Sequence, residues 1–237
     1  MPSVQPAVDS FIGEIQALEK SFEKDIAKLT TRMAKMTDTE LISSVSQLNF
    51  FQELVDKGYG GALNAFDSEY EKMLATAIKE AKRRGIPPMA GASVEGLEVL
   101  RDMDYKRLLG RAEMYADELQ MQLFRGVYAG MSPNAIAASL TSTTLASHQL
   151  NVIAYDGLKS FDDMARYKTF QGQDVRWIYV GPNDSVTRPE CQSTLGNSKN
   201  ETGYTESEAS SSDTPFGIRG GFNCRHSWRL KPKEYRK

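Results

Sequence analysis

Apolar residues recur at a helical spacing near the start of the chain. Between Val8 and Met36 they lie three or four positions apart, a mean spacing of about 3.6 residues, which is the period of an α-helix. Glu, Lys, Gln and Ser fill the other faces. The pattern predicts a long amphipathic helix with a narrow apolar face, suited to packing against a partner helix.

Further helices are predicted up to about residue 170. Thr37 is a typical N-cap, and Asp38 and Glu40 place acids in the first turn that follows it. Ser132 caps another helix with Pro133 at its first position, and Ser142 or Thr143 starts the last one. The helices after the first are expected at about 37–58, 62–84, 94–129, 133–140 and 142–167.

The pattern changes at about Gln171. Residues 175–180 alternate and are rich in β-branched and aromatic side chains, which predicts a strand. Residues 196–213 are rich in Gly, Ser, Thr, Asn and Glu and are predicted to form a long polar loop or insertion. The expected fold is mainly α, with long helices over 1–170 and a small C-terminal α+β or irregular module over 171–237.

Composition narrows the class of protein. Hydrophobic residues make up 40% and charged residues 25% of the 237 residues, which is typical of a globular chain and excludes disorder throughout. No apolar run approaches the roughly 18 residues that a membrane span needs. The first residues lack a secretory pattern, and two cysteines are too few for a disulfide scaffold. Synthesis in a reducing, intracellular setting is expected.

Charge is unevenly placed. The net charge of −2 excludes nucleic-acid binding through the bulk charge of the chain, but residues 214–237 are strongly basic and residues 201–213 are acidic. The end of the chain could contact DNA or an acidic partner, or it could be a solvated tail. The candidate contact residues are Arg229, Lys231, Lys233, Arg236 and Lys237.

One group of residues carries most of the candidate chemistry. Cys191, Cys224 and His226 offer sulfur and nitrogen ligands of the kind that zinc prefers. A fourth ligand is missing from any standard spacing, so Asp184 or water would have to serve. A disulfide between the two cysteines and two reduced, buried thiols are the alternatives. The full candidate cluster comprises Trp177, Asp184, Arg188, Cys191, Cys224, Arg225 and His226.

The sequence assigns no catalytic residue. Asp184 and Arg188 lie four positions apart around a turn, which predicts an ion pair that closes the loop; a catalytic acid is the alternative, but no partner base lies at a recognised spacing. A Cys-His nucleophile pair would need a third, orienting group and a cleft. Phosphate-loop, dinucleotide-binding and His-Glu-x-x-His patterns are absent from the sequence.

The combined pattern resembles a known family. A helical region is followed by a strand with Trp177, by Asp184-x-x-x-Arg188-Pro-x-Cys191, by a polar loop, and by Gly-Gly-x-Asn-Cys-Arg-His at 220–226. This arrangement, over roughly 140–232, resembles the C-terminal module of phage Mu protein F-like minor head proteins of tailed bacteriophages. The chain departs from that family in its acidic insertion at 201–213 and in Cys191, where histidine is common.

The resemblance implies a non-enzymatic virion protein, made in the host cytoplasm and located in the phage head near the portal, that acts in head morphogenesis and in DNA packaging or ejection. The implied partners are the portal or major capsid protein, other copies of this chain, and packaged DNA, with no membrane partner. A neck or adaptor protein is an alternative, and a Cys/His-dependent enzyme and a DNA-binding module are two others. The one cofactor considered is a structural zinc ion, which would contribute folding energy.

Overall fold

The computed structural model describes residues 4–141 and 147–232, and most of them are helical. The mainly α prediction is confirmed. The helices are α1 (Gln5–Met33), α2 (Asp38–Gln47), α3 (Phe50–Leu54), α4 (Gly60–Arg83), α5 (Gly91–Tyr128), α6 (Pro133–Thr141), α7 (Ser147–Phe170), α8 (Pro189–Gly196), α9 (Lys199–Thr202) and α10 (Glu206–Ser210), with a π-helical turn at Val55–Tyr59. Strand β1 (Trp177–Val180) pairs antiparallel with β2 (Ser227–Leu230).

The chain folds into two compact units. The first unit is Met1–Asp67 with Tyr105–Ile153, and the second unit is Ser68–Asp104 with Ala154–Lys237. The change from long helices to short elements falls at Phe170, close to the predicted position. The predicted module at 171–237 lies within the second unit, which also contains helical residues from earlier in the chain.

The first unit is organised around α1, as the apolar spacing predicts. Every turn of this helix buries a side chain, which is apolar except at Glu19 and Thr30, and α3 and α6 pack against it. Phe11 stacks on Phe66 with ring centroids 4.3 Å apart. The buried apolar residues of α1 are Val8, Phe11, Ile15, Phe22, Ile26 and Met33.

The prediction of a single helix over 37–58 is wrong, because the helix ends before Leu48 and a new one begins after Asn49. Leu48 is extended, and Asn49 caps a new helix by accepting a hydrogen bond from the backbone N–H of Gln52 at 2.9 Å. Gly58 then adopts φ 128°, outside the helical region, and a Cβ there would lie 3.3 Å from Leu18. A local cap and a left-handed glycine therefore interrupt an apolar pattern that continues through them.

The predicted polar loop at 196–213 is also wrong in part, because it contains α9 and α10. The hydroxyl of Thr205 accepts from the backbone N–H of Glu208, and the Glu208 carboxylate accepts from the backbone N–H of Thr205. This capping box starts α10. The predicted start of the last long helix at Ser142 or Thr143 lies outside the described residues.

An aromatic core fills the C-terminal part of the second unit. Trp228 is fully buried, and its indole N–H donates to the carbonyl of Thr214 at 2.6 Å. Tyr204 bridges to Trp177 through two backbone hydrogen bonds of 2.7 and 2.8 Å. The large buried side chains of this core are Phe170, Trp177, Tyr179, Tyr204, Phe216 and Trp228. Among the described residues, the helices contain no stretch long and apolar enough to cross a membrane.

Candidate metal centre

Two separate segments of the second unit bring two cysteines and a histidine together. Cys191 is the third residue of α8, which begins with Pro189 after Arg188 at the N-cap. Cys224 and His226 lie just before β2. The three side chains, called here the Cys-Cys-His cluster, are all buried, as the candidate ligand set requires.

The spacing of the donor atoms is compact. The two Sγ atoms lie 3.7 Å apart without a bond between them, so both cysteines are free thiols in this structure. His226 Nδ1 lies 3.7 Å from Cys224 Sγ. All the donor atoms lie within 4.8 Å of one another, and the cluster could therefore hold a metal ion.

The hydrogen bond on the far side of the His226 ring fixes its proton. Nε2 lies 2.8 Å from the carbonyl oxygen of Pro182, which can only accept, so Nε2 carries a hydrogen. Burial lowers the pKa of His226 and favours the neutral ring. The Nδ1 lone pair therefore faces Cys224, and the carbonyl orients the ring as the outer partner of a metal-ligating histidine does.

Tyr179 contacts all three members of the cluster. Its hydroxyl lies 3.5 Å from Cys191 Sγ and 3.6 Å from Cys224 Sγ, and its ring stacks on His226 at 5.3 Å. Burial raises the pKa of Tyr179 and of the Cys191 thiol, which keeps both protonated in the metal-free chain. Sequence reasoning placed Tyr179 in a strand only, although the period of two puts it on the same face as buried Trp177.

Two glycines allow the backbone to approach the cluster. A Cβ at Gly220 would lie 2.2 Å from Cys191 Sγ and 3.3 Å from Cys224 Sγ. A Cβ at Gly181 would lie 2.2 Å from Cδ2 of His226. Since real Cβ contacts are never this short, any side chain at either position would displace a member of the cluster.

The predicted ion pair between Asp184 and Arg188 is wrong. Asp184 instead pairs with Arg225, with oxygen–nitrogen distances of 2.6 and 2.8 Å, and this contact lowers the pKa of Asp184. Arg188 donates to the carbonyl oxygens of Gly220 and, at 2.6 Å, Phe222. Arg188 occupies the N-cap position of α8, and its side chain bonds to the 220–222 loop and not to Asp184.

Carboxylates of α7 hold the segment that carries Cys224. Asp156 accepts from the backbone N–H of Asn223 at 2.7 and 2.8 Å, and Arg219 reaches both Asp156 and Asp163 within 3.8 Å. Asn223 has a positive φ of 54°, a conformation that asparagine tolerates better than most residues. Sequence reasoning missed Asp156, Asp162 and Asp163, called here the α7 carboxylate cluster, because nothing local links them to residues some 60 positions later.

Two of the five basic candidate contact residues lie in the described part of the chain, and both contact other residues of the second unit. Arg229 pairs with Asp162 at 3.0 Å and with Asp163 at 3.3 Å, and Lys231 donates to the carbonyl of Glu201 at 2.7 Å. Both therefore have partners within the second unit. The other three candidates, Lys233, Arg236 and Lys237, lie outside the described residues.

A cavity of about 340 Å³ borders the Cys-Cys-His cluster. All three members of the cluster line it. The rest of its lining is formed by Val186, Thr187, Arg188, Asn223 and Arg225.

Comparisons with models of known protein families, with curated proteins and with solved structures gave no significant match.

Proposed function

We propose that this chain is a non-enzymatic structural protein of a tailed-phage head, similar in role to Mu F-like minor head proteins, and that a zinc ion at the Cys-Cys-His cluster stabilises its second unit. The observation that carries the proposal is the convergence of the motif residues. Cys191 comes from one segment and Cys224 and His226 from another, and the three meet at one buried centre, with Gly220 against it and the exposed Arg188 bonded to Gly220.

The spacing of the donors supports zinc. Zinc–sulfur bonds of about 2.3 Å in a tetrahedral site place two sulfurs about 3.8 Å apart, and a sulfur and a nitrogen slightly closer. The corresponding distances between Cys224 and its two neighbours in the cluster are both 3.7 Å. Binding would keep these two separations, would bring the remaining pair, Cys191 and His226, to a similar distance from their present separation of up to 4.8 Å, and would link α8 to the segment before β2.

The protonation of the cluster supports a structural role over nucleophilic chemistry. A catalytic cysteine needs a thiolate with a lowered pKa, whereas burial raises the pKa of Cys191. His226 Nε2 donates to the carbonyl oxygen of Pro182, a neutral acceptor that orients the ring but does not supply the negative charge of a triad carboxylate, and burial lowers the pKa of His226.

The exposed apolar residues of α5 support contacts with other proteins. Met103, Met114, Met121 and Tyr128 are between 40% and 65% exposed, and methionine-rich surfaces adapt readily to a partner. The portal protein, the major capsid protein and further copies of this chain are the proposed partners.

Metal analysis tests the zinc proposal. The full chain, purified without chelators, should contain one zinc per chain, and Cys224→Ser should lose it while Val186→Ala, at a side chain that is 72% exposed, keeps it. Thiol titration should find both cysteines protected until zinc is removed. A metal-free chain with two titratable thiols and unchanged thermal stability would reject the proposed zinc.

Mass spectrometry of purified phage particles tests the proposed role. We expect peptides of this chain in density-purified heads together with the portal protein. Recovery with tails and connectors alone would favour the neck or adaptor alternative. Particles that assemble with no copy of the chain would reject a virion role.

A further inference from the structure

We infer that the metal at the Cys-Cys-His cluster keeps one coordination position for a small anion that arrives through the bordering cavity. The inference rests on the proposed zinc site and goes beyond it, because a purely structural zinc has four protein ligands whereas an open site has three.

The described part of the chain supplies three donors to this centre. The group of His, Cys, Asp and Glu residues that could hold an ion contains Cys191, Cys224 and His226 only. Asp184, which the sequence suggested as a substitute fourth ligand, already has other hydrogen-bond partners. Its two oxygens accept from Arg225, from the hydroxyl of Thr187 and from the backbone N–H of Val186.

The cavity lies directly against the cluster. Both cysteines and His226 contribute to its lining, so a ligand inside the 340 Å³ space is adjacent to all three residues. That volume is near the lower end of small-molecule sites and admits an anion of a few heavy atoms.

The charge of the cavity favours an anion. Arg225 is neutralised by Asp184. Arg188 contacts two carbonyl oxygens and, within the described ranges, forms no ion pair with a carboxylate. A divalent metal held by two thiolates and a neutral imidazole has no net charge. Glu190 acts electrostatically on Cys191 but is not part of the cavity lining, so Arg188 gives that lining one positive charge for an incoming ligand.

Tyr179 is the rival fourth ligand within the chain. Its hydroxyl lies at 3.5 and 3.6 Å from the two sulfurs. A protonated phenol at this distance donates to a metal-bound thiolate, which orients the sulfur but leaves the metal position open. If the phenol lost its proton to the metal, the site would be closed.

Cobalt spectroscopy of the full chain separates these arrangements. Co²⁺ replaces zinc in tetrahedral sites and gives visible bands that change when a ligand is exchanged. We expect one Co²⁺ per chain, and a saturable spectral change on titration with azide that nitrate at equal ionic strength does not produce. Tyr179→Phe should leave this response in place.

Arg188 variants test the charge argument. Arg188→Lys keeps the positive charge and should retain azide affinity, whereas Arg188→Gln should weaken azide binding roughly threefold to fivefold, as expected for an exposed charge. Both variants should still bind one Co²⁺.

The possible failures are distinguishable. If Co²⁺ does not bind, the proposed zinc site itself is rejected. If Co²⁺ binds but azide leaves the spectrum unchanged, the open position is rejected, and a spectral change in Tyr179→Phe would then identify the phenol as the fourth ligand.

Discussion

The inner face of helix α1 in the first unit and the Cys-Cys-His cluster in the second unit are both buried, but they are built in different ways. In α1 the buried side chains follow one another at each turn, so the same local rule is repeated over 29 residues. In the cluster, Cys191 and the pair Cys224 and His226 come from segments 33 residues apart. The buried surface of α1 is therefore shared by many side chains along one helix. The buried surface of the cluster belongs to a few side chains that only the tertiary fold brings together.

The buried ion pairs of the two units also differ in what they hold in place. In the first unit Glu19 on α1 pairs with Arg111, which also donates to Tyr59 at 3.3 Å. In the second unit the α7 carboxylate cluster binds three arginines and a backbone N–H of the segment around Asn223. In the first unit the buried ion pair therefore adds to the apolar face of α1. In the second unit the buried ion pairs hold the irregular segment around Asn223 in place.

The largest effect is expected at the centre of the aromatic core. Trp228→Ala should lower the free energy of unfolding by about 3–5 kcal/mol, because it leaves a large cavity and removes a hydrogen bond to Thr214. Circular dichroism melts and amide exchange across 177–230 would measure it. Phe222→Ala, at a side chain that is 59% exposed, is the matched control, and equal losses for both would contradict a concentrated core.

A smaller loss is expected in α1, where burial is distributed. Ile15→Ala, at a fully buried position, should cost about 2–4 kcal/mol through the lost apolar contacts and the cavity left behind. The exposed Ile42 is 54% accessible, and Ile42→Ala should change stability by less than about 0.5 kcal/mol. Amide exchange limited to the first unit would locate the effect.

The α7 carboxylates should respond oppositely to pH. Burial raises the pKa of Asp162, but Arg229 and Arg166 outweigh it, so its folded pKa is below 3.8. Its stabilisation is present at neutral pH and is lost as the pH falls through that lowered pKa. Burial raises the pKa of Asp163 to about 6 despite Arg219, Arg229 and Lys159. Its charged form therefore destabilises the fold increasingly as the pH rises from about 4 to above 6.

Two isosteric variants would measure this difference. Asp162→Asn should destabilise the chain at pH 7 by on the order of 1–3 kcal/mol and have little effect under strongly acid conditions. Asp163→Asn should improve relative to the unsubstituted chain as the pH rises from 4 to 7. Unfolding midpoints across this range would test both, and parallel pH profiles for the two variants would be inconsistent with the assigned pKa directions.

The smallest effect is expected at two matching helix caps. Thr37→Ala and Thr205→Ala each remove a capping box, in the first and the second unit respectively, and should each cost about 1 kcal/mol. A serine at either position should retain most of the stability. A much larger loss at Thr205 than at Thr37 would show that the short helix α10 supports the aromatic core through more than its own cap.

Local signals explain what the sequence could predict. The spacing of apolar residues located α1, and Thr37 with Glu40 located the start of α2. The same Thr-x-x-Glu pattern at Thr205 and Glu208 was available but was masked by a composition typical of loops. The residue types of the metal centre were recognisable, since sulfur and imidazole donors are rare in this chain.

Non-local partners could not be predicted in the same way. Asp184 and Arg188 are close in sequence, yet each binds a residue more than 30 positions away. Asp156 and Asn223 likewise meet only because α7 and the segment before β2 lie side by side in the folded second unit. Such pairings depend on tertiary packing, which sequence spacing does not encode.

The placement of the indole rings makes tryptophan fluorescence a probe of one unit only. The chain has two tryptophans, Trp177 and Trp228, and both are fully buried in the strands of the second unit. Tryptophan emission therefore reports on the environment of β1 and β2 and is silent about α1. A denaturation curve recorded by fluorescence and one recorded by far-ultraviolet dichroism would follow different parts of this protein, and only their coincidence would demonstrate that the two units unfold as one.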